Sequence, residues 1–182
     1  MNKKIFDITA SFAALLLLGL FIFLCWVVAA IDTRSNGLFF QSRIGQFGKP
    51  FQIFKLKTIH PKKQTISAMG RFLRKSKLDE LPQLFNVLLG DMSFVGPRPD
   101  VPGYYDQLQG EARKILELKP GLTSPASLKY FNEAYLLSQQ ENSLKYNDTV
   151  IFPDKVRMNL TYYYDHSFWG DIRIICNTVF RR

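Results

Sequence analysis

The sequence predicts a mainly helical α+β protein, with an N-terminal hydrophobic membrane helix, a small β-hairpin and amphipathic helices lying on a membrane surface. Three observations predict it. From Ile8 to Ile31 no residue is charged, and about 20 apolar residues suffice to cross a bilayer as a helix. Two strand-like runs, Leu38–Ser42 and Phe51–Lys57, flank a connector with two glycines, Gly45 and Gly48. The remainder is cut by Pro and Gly into short segments whose apolar residues recur at helical spacing. Residues 1–33 are therefore expected as a membrane-embedded helix and residues 34–182 as the body of the protein.

Taking the chain in order, Lys3 and Lys4 precede the apolar run, and Arg34 and Arg43 follow it. Cationic flanks favour the cytoplasm at both ends. A straight span puts one end on the wrong side, whereas a re-entrant helix satisfies both, with Gly19 near the middle to permit a bend. Charge alone leaves both placements open. A cleaved signal peptide does not fit, because the apolar region is too long and no small-residue cleavage site leads into a polar start.

Ser35-Asn36-Gly37 is a turn signal that opens the hairpin. The hairpin carries Arg43, Lys49, Lys55 and Lys57, read either as a solvated basic face or as contacts to phosphate or headgroups. His60 to Ser67 is a polar loop, and Met69 to Lys75 is a basic amphipathic segment suited to a membrane surface. Asp79 is placed as the N-cap of a helix running to Leu89 and stopped by Gly90, with Pro82 tolerated in its first turn. Further helices are expected at Val101–Glu117, Phe131–Gln140, Pro153–Tyr164 and Phe168–Arg181. Lys119–Pro125 reads as a turn-rich break and Asn142–Thr149 as a loop. Trp169 with Tyr162–Tyr164 suits either an interfacial aromatic belt or core packing.

Composition narrows the function. With 24 Lys and Arg against 15 Asp and Glu, the net charge is +9, which points to an anionic partner: phosphorylated metabolites, an anionic membrane or nucleic acid. A hydrophobic share of 47% excludes a disordered chain. Cys25 and Cys176 lie in separate apolar runs and are expected as buried thiols, not a disulfide or metal site. No zinc spacing, Gly-rich phosphate loop or GxGxxG occurs, and His60 and His166 read as lone loop histidines. No nucleic-acid recognition motif accompanies the basic charge, so nucleic acid is not expected as a partner.

The adjacent carboxylates Asp79 and Glu80 stand out because Arg71, Arg74, Lys75 and Lys77 precede them. Carboxylates serve as nucleophiles in phosphoryl chemistry, nearby cations and a helix start are expected to hold Asp79 ionised, and oxygen ligands with phosphate suit Mg²⁺. Gly96-Pro97-Arg98-Pro99 sets an arginine on a rigid turn suited to a planar grip on phosphate. On the residues alone, a phosphate-handling site stands beside a plainer reading: a capped helix in a basic membrane protein.

Several runs together resemble the bacterial sugar transferases of the small monotopic phosphoglycosyl transferase type. They are Phe39-Phe40-Gln41-Ser42-Arg43-Ile44-Gly45, Phe54-Lys55-Leu56-Lys57-Thr58, Gly70-Arg71-Phe72-Leu73-Arg74, Leu78-Asp79-Glu80-Leu81-Pro82-Gln83-Leu84-Phe85-Asn86, Gly96-Pro97-Arg98-Pro99, Lys119-Pro120-Gly121-Leu122-Thr123 and Ser167-Phe168-Trp169-Gly170-Asp171-Ile172. The resemblance covers nearly the whole chain. It implies transfer of a phospho-sugar from a UDP-sugar to polyprenol phosphate, with release of UMP. Asp79 would be the nucleophile of a covalent, ping-pong mechanism. Glu80 would assist it, and Mg²⁺ would bind at Asp79 and Glu80. Lys55, Arg74 and Arg98, the last within Pro97 and Pro99, would contact substrate. The implied partners are a UDP-sugar, polyprenol phosphate, bacterial membrane lipid and downstream glycosyltransferases. The implied location is the bacterial inner membrane, with residues 34–182 as a catalytic domain on its cytoplasmic face.

Three departures accompany the resemblance. The family's membrane segment usually breaks at a Ser-Pro pair and re-enters the cytoplasmic face, whereas Gly19-Leu20 stands here. Asn159 stands where an acidic residue is common. The region from Ser124 to Asp154 lacks a Gly-Trp-rich segment. The rival reading is a non-catalytic basic membrane-surface module, or a decayed transferase acting as a pathway scaffold.

Overall fold

A computed structural model describes residues 3–180, which divide into two compact units. One comprises the chain up to Arg43 together with Pro50–Met92, the other Ile44–Lys49 together with the chain from Ser93 onward. The fold is mainly helical, with two small two-stranded sheets.

The first unit is built on α1 (Lys3–Thr33), an unbroken helix of 31 residues that runs through Gly19. At about 1.5 Å per residue it is longer than a bilayer core is thick. Its middle exposes Leu16, Leu17 and Leu20, whereas Asp7 and Ser11 near its start, and Cys25 and Ala29 near its end, are buried. Cys25 and Ala29 form a core with Leu56 and Leu73, flanked by Trp26, Leu38 and Leu78. After α1 the chain turns sharply. Trp26 Nε1 donates to the Asn36 carbonyl at 2.8 Å. Gly37 takes φ +70°, where a Cβ would lie 2.9 Å from Ala30, so both backbone and space require glycine.

β1 (Leu38–Ile44) and β2 (Pro50–Leu56) pair as the expected antiparallel hairpin. α2 (Ala68–Lys75) is capped by Ser67, whose Oγ accepts from Gly70 N at 2.9 Å and donates to Asp32 Oδ2 at 2.6 Å. That second bond ties α2 to the end of α1. α3 (Gln83–Leu89) stops at Gly90 in the left-handed region, as its sequence requires.

In the second unit β3 (Ser93–Val95) lies parallel to β4 (Gly121–Thr123). A Cβ on Gly96 would strike the Lys119 carbonyl, and one on Gly121 would strike the Gly96 backbone. The two segments approach this closely only because neither has a side chain there. Ile44, Tyr105, Ile115 and Leu116 form the core, against Phe152, Val156 and Leu160 of α7 (Phe152–Asp165). α4 (Pro125–Lys129), α5 (Glu133–Ser138) and α6 (Ser143–Tyr146) are short. α8 (Phe168–Val179) is capped by Ser167. The Tyr162 hydroxyl donates to Asp171 Oδ1 at 2.6 Å, both residues being buried, so α7 and α8 are fastened inside the unit.

Three expectations need correction. Val101–Glu117 is not one helix but two 3₁₀ segments, Tyr105–Gln107 and Gly110–Glu117. Gly103 and Gly110 adopt positive φ and interrupt any α-helical path. Asn142–Thr149 is not a loop: Asn142 Oδ1 accepts from Lys145 N at 2.9 Å and starts α6, which runs into a π turn at Asn147–Ile151. Cys25 is buried, but Cys176 is exposed, because it lies on a face of α8 that nothing among the described residues covers. The two readings left open for the aromatic residues divide between them: Tyr162 is core, while Trp169 stands 78% exposed. The last helix ends at Val179, and Arg181 lies outside the described residues.

Candidate active site

Leu78–Glu80 forms a single 3₁₀ turn, introduced by Lys77 in the left-handed region at φ 57°. Leu78 docks on the Cys25–Ala29 core and so sets the turn beside α1. Asp79 was expected to cap a helix. Instead its side chain caps nothing, and regular α-helix begins only at Gln83. The reason is Pro82, which has no N–H to continue the ladder. The turn closes through 3₁₀ bonds, Glu80 N to Lys77 O at 3.1 Å and Leu81 N to Leu78 O at 3.3 Å.

Asp79 is buried, and its Oδ1 has no hydrogen-bond partner. Burial pushes its carboxyl above the ordinary value and the adjacent Glu80 adds to this, while Lys55, Lys77 and Arg74 pull it part of the way back. Desolvation thus outweighs the cations in setting the direction of the shift.

Glu80 is held by Lys55, whose Nζ lies 2.9 Å from Glu80 Oε1. Lys55 owes its place to Asn86. The Asn86 amide, fully buried in α3, donates from Nδ2 to Gln52 O at 2.7 Å and accepts from Phe54 N at 3.0 Å. One side chain thus satisfies two groups of β2 and fixes that strand against α3. Arg74 is placed in a comparable way: its Nε donates to buried Thr58 Oγ1 at 2.8 Å. α2 comes this near because residue 70 is glycine, where a Cβ would lie 2.5 Å from the Thr58 carbonyl.

The first unit therefore brings together Lys55, Arg74, Asp79 and Glu80. Pro97, Arg98 and Pro99 belong to the second unit. There, Gly96 N bonds Thr123 O at 3.0 Å and Gly121 N bonds Pro97 O at 2.9 Å. These bonds brace the turn that carries half-buried Arg98. Asn159, where the resemblance leads one to look for an acid, is a buried amide that donates to the Tyr105 hydroxyl at 2.8 Å. It acts in the core of its unit.

The carboxylate pair fits Mg²⁺. Among the described residues no cluster of three or more His, Cys, Asp or Glu occurs, so protein side chains alone would not surround a transition metal here. Two adjacent carboxylates, one with an unpartnered buried oxygen, match the sparse protein ligation of a magnesium ion that shares substrate phosphates.

Sequence reasoning named Lys77 only as one of the cations before the pair, and it gave Asn86 and Gln83 no role of their own. The left-handed Lys77 leaves no trace in composition. Asn86 and Gln83 did leave one, as polar residues at positions where the register of Leu84 and Val87 calls for core.

The bacterial sugar transferase family matches residues 1–182. A protein named as an uncharacterized sugar transferase, EpsL, of Bacillus subtilis (strain 168) is 31% identical over 187 residues, covering 97% of this chain and 85% of its own. A UDP-glucose:undecaprenyl-phosphate glucose-1-phosphate transferase of Caulobacter vibrioides is 30% identical over 195 residues, covering 98% of this chain and 68% of its own. A protein of the same name from Klebsiella pneumoniae is 32% identical over 197 residues, covering 98% of this chain but only 39% of its own.

Proposed function

The chain belongs to the bacterial sugar transferase family, and we propose that it transfers a phospho-sugar from a UDP-sugar to polyprenol phosphate. Two of the relatives are named for a transfer of this kind to undecaprenyl phosphate. The observation that carries the reading is Asp79 Oδ1, a buried carboxylate oxygen without a partner, in a turn whose charge environment includes Lys55, Lys77 and Arg74.

In the first step an Asp79 oxygen attacks the phosphorus that bears the sugar. An Asp79–phosphorus bond forms, the bond from that phosphorus to the oxygen of the UMP phosphate breaks, and UMP leaves. In the second step a phosphate oxygen of polyprenol phosphate attacks the same phosphorus. The bond to Asp79 breaks and returns the carboxylate, leaving a polyprenyl diphosphate sugar. Glu80, oriented by Lys55, supports Asp79. Lys55 and Arg74 meet the negative charge of the substrate. Asp79 and Glu80 would hold Mg²⁺, which supplies neutralisation of the diphosphate charge.

The protein works at the bacterial inner membrane, with residues 1–33 embedded and residues 34–182 catalytic on the cytoplasmic face. A re-entrant α1 is favoured by the cationic flanks at its two ends, Lys3 and Lys4 before the apolar run and Arg34 and Arg43 after it. The lipid-linked product is the substrate of downstream glycosyltransferases that extend a glycan.

The test is UMP release from a panel of UDP-sugars in the presence of polyprenol phosphate, with trapping of the phosphosugar adduct. Asp79→Asn should give neither. Absence of UMP release with every UDP-sugar would sink the reading.

A further inference from the structure

Asp79 is not alone in being buried without a partner. Gln83 is 3% exposed, and its Nε2 makes no hydrogen bond. A buried donor left unpaired is costly, and such a group calls for an explanation. Between the two residues, Leu81 and Pro82 both have helical backbone angles, φ −55°, ψ −35° and φ −60°, ψ −15°. Asp79 and Gln83 therefore stand about one turn apart, and they carry an acceptor, Asp79 Oδ1, and a donor, Gln83 Nε2, that are chemically complementary and yet not bonded to each other.

We propose that Gln83 is a substrate-contacting residue whose side-chain amide donates a hydrogen bond to a non-bridging oxygen of the phosphoryl group that Asp79 attacks. The inference rests on the phosphosugar transfer proposed above. A phosphoryl group is the kind of third body that answers both orphans, since its phosphorus meets the carboxylate and its oxygens accept from the amide. The neutrality of the amide matters. A lysine or arginine at this position would pair with Asp79 in the resting enzyme and blunt its attack. The amide leaves the carboxylate free to react and still stabilises charge on the phosphoryl oxygens. The same phosphorus is attacked again in the second step, so Gln83 serves both half-reactions.

The test uses Gln83→Met, which keeps the length and removes the donor, and Gln83→Glu, which keeps the shape if the methionine variant does not fold. The probe is whichever of UDP-glucose, UDP-galactose or UDP-N-acetylgalactosamine the wild type turns over best. UMP release in a single turnover and transfer from the trapped adduct to polyprenol phosphate are measured separately. Loss of a preorganised donor predicts that both rates fall about 100- to 1,000-fold, with KM for the UDP-sugar within about threefold and, because Gln83→Met removes an unpaired buried donor, a melting temperature for that variant no lower than that of the wild type. Wild-type rates in either folded variant would overturn the proposal, as would a loss confined to KM. A loss that recovers fully as pH is raised would also overturn it, because Gln83 would then be acting on the ionisation of Asp79. If the wild type itself releases no UMP from any UDP-sugar, the transfer reading fails and this inference with it. Fast Gln83 variants of an active enzyme remove only this inference.

Discussion

Lys55 Nζ stands 2.9 Å from Glu80 Oε1, with both side chains largely withdrawn from water. The pair joins a hairpin strand to the turn that carries Asp79. It couples two properties usually separate: the placement of Glu80 and the ease with which Asp79 ionises, since Lys55 is the foremost of the cations opposing the upward shift of Asp79.

Lys55→Met should therefore change the pH profile as well as the rate. In the proposed mechanism Asp79 attacks as the carboxylate, so activity should rise with pH through its raised pKa. Removing Lys55 raises that pKa further and moves the acidic limb to higher pH. A charge-assisted hydrogen bond is worth about 1.5–3 kcal/mol, which corresponds to a fall of roughly 10- to 100-fold in kcat/KM near neutrality. The check is UMP release against pH for both proteins. An unmoved limb would contradict the coupling.

Asp79→Asn is expected to inactivate the protein and stabilise it. A carboxyl whose pKa is raised on folding favours the folded state at pH values below its unfolded pKa. That contribution is lost as pH rises through the folded value. At neutral pH the native protein thus carries the cost of a buried carboxylate with an unpaired oxygen. Replacing it with an amide should raise the melting temperature by about 2–4 °C for a gain near 1 kcal/mol. The gain should shrink at acid pH, where the wild type is protonated. Thermal unfolding in detergent at both pH values checks this, and a lower melting temperature for the variant at pH 7 would count against it.

Asn86→Ala tests what holds the site together. It strips partners from Gln52 O and Phe54 N at a fully buried position. Each orphaned group costs about 1–3 kcal/mol, so the variant should lose several degrees of melting temperature. Because β2 then loses its register against α3, activity should fall even under conditions where the variant is fully folded. Full activity in the folded variant would show that Lys55 is placed by something else.

These residues also show which parts of the molecule were readable in advance. The long apolar helix and the hairpin were legible because their signals are local: an unbroken apolar run, and two short runs about a glycine-bearing connector. The β3–β4 pair was not. Its strands are three residues each, too short to show a period, and their contact depends on Gly96 and Gly121, whose role is the absence of a side chain. Val101–Glu117 misled because apolar residues such as Leu108, Ala112, Ile115 and Leu116 fit an α-helix as well as a 3₁₀ path. Asp79 misled differently. Local rules made it a cap, but Pro82 delays the helix and burial of the turn decides its chemistry. The carboxylates and cations of the site could be named from the sequence, whereas Asn86 and Gln83, buried amides of α3, acquire meaning only with burial.

Metal removal provides a further check. Two carboxylates alone bind Mg²⁺ weakly, and the remaining ligands would come from substrate phosphates and water. Chelation should abolish UMP release and added Mg²⁺ should restore it, with Ca²⁺ a poor substitute because it prefers more ligands at longer distances. Glu80→Gln should raise the Mg²⁺ concentration needed for half-maximal rate. Undiminished UMP release in excess chelator would remove the metal from the reading.

The placement of α1 yields a prediction that does not depend on the chemistry. The helix is continuous through Gly19, so no break in hydrogen bonding marks a turn-back. Asp7, Ser11, Ile22, Cys25 and Ala29 are buried along one face of α1, while Leu16, Leu17 and Leu20 stand exposed on the other, and near its end Asp32 accepts a bond from Ser67. The proposed cytoplasmic placement of both ends rests on their cationic flanks. Asn2→Cys in a Cys176→Ser background should then react with a membrane-impermeant thiol reagent only from the cytoplasmic side of sealed vesicles. Cys25, buried beside Ala29, should stay unreactive from either side. Labelling of position 2 from the outer side would establish a straight span.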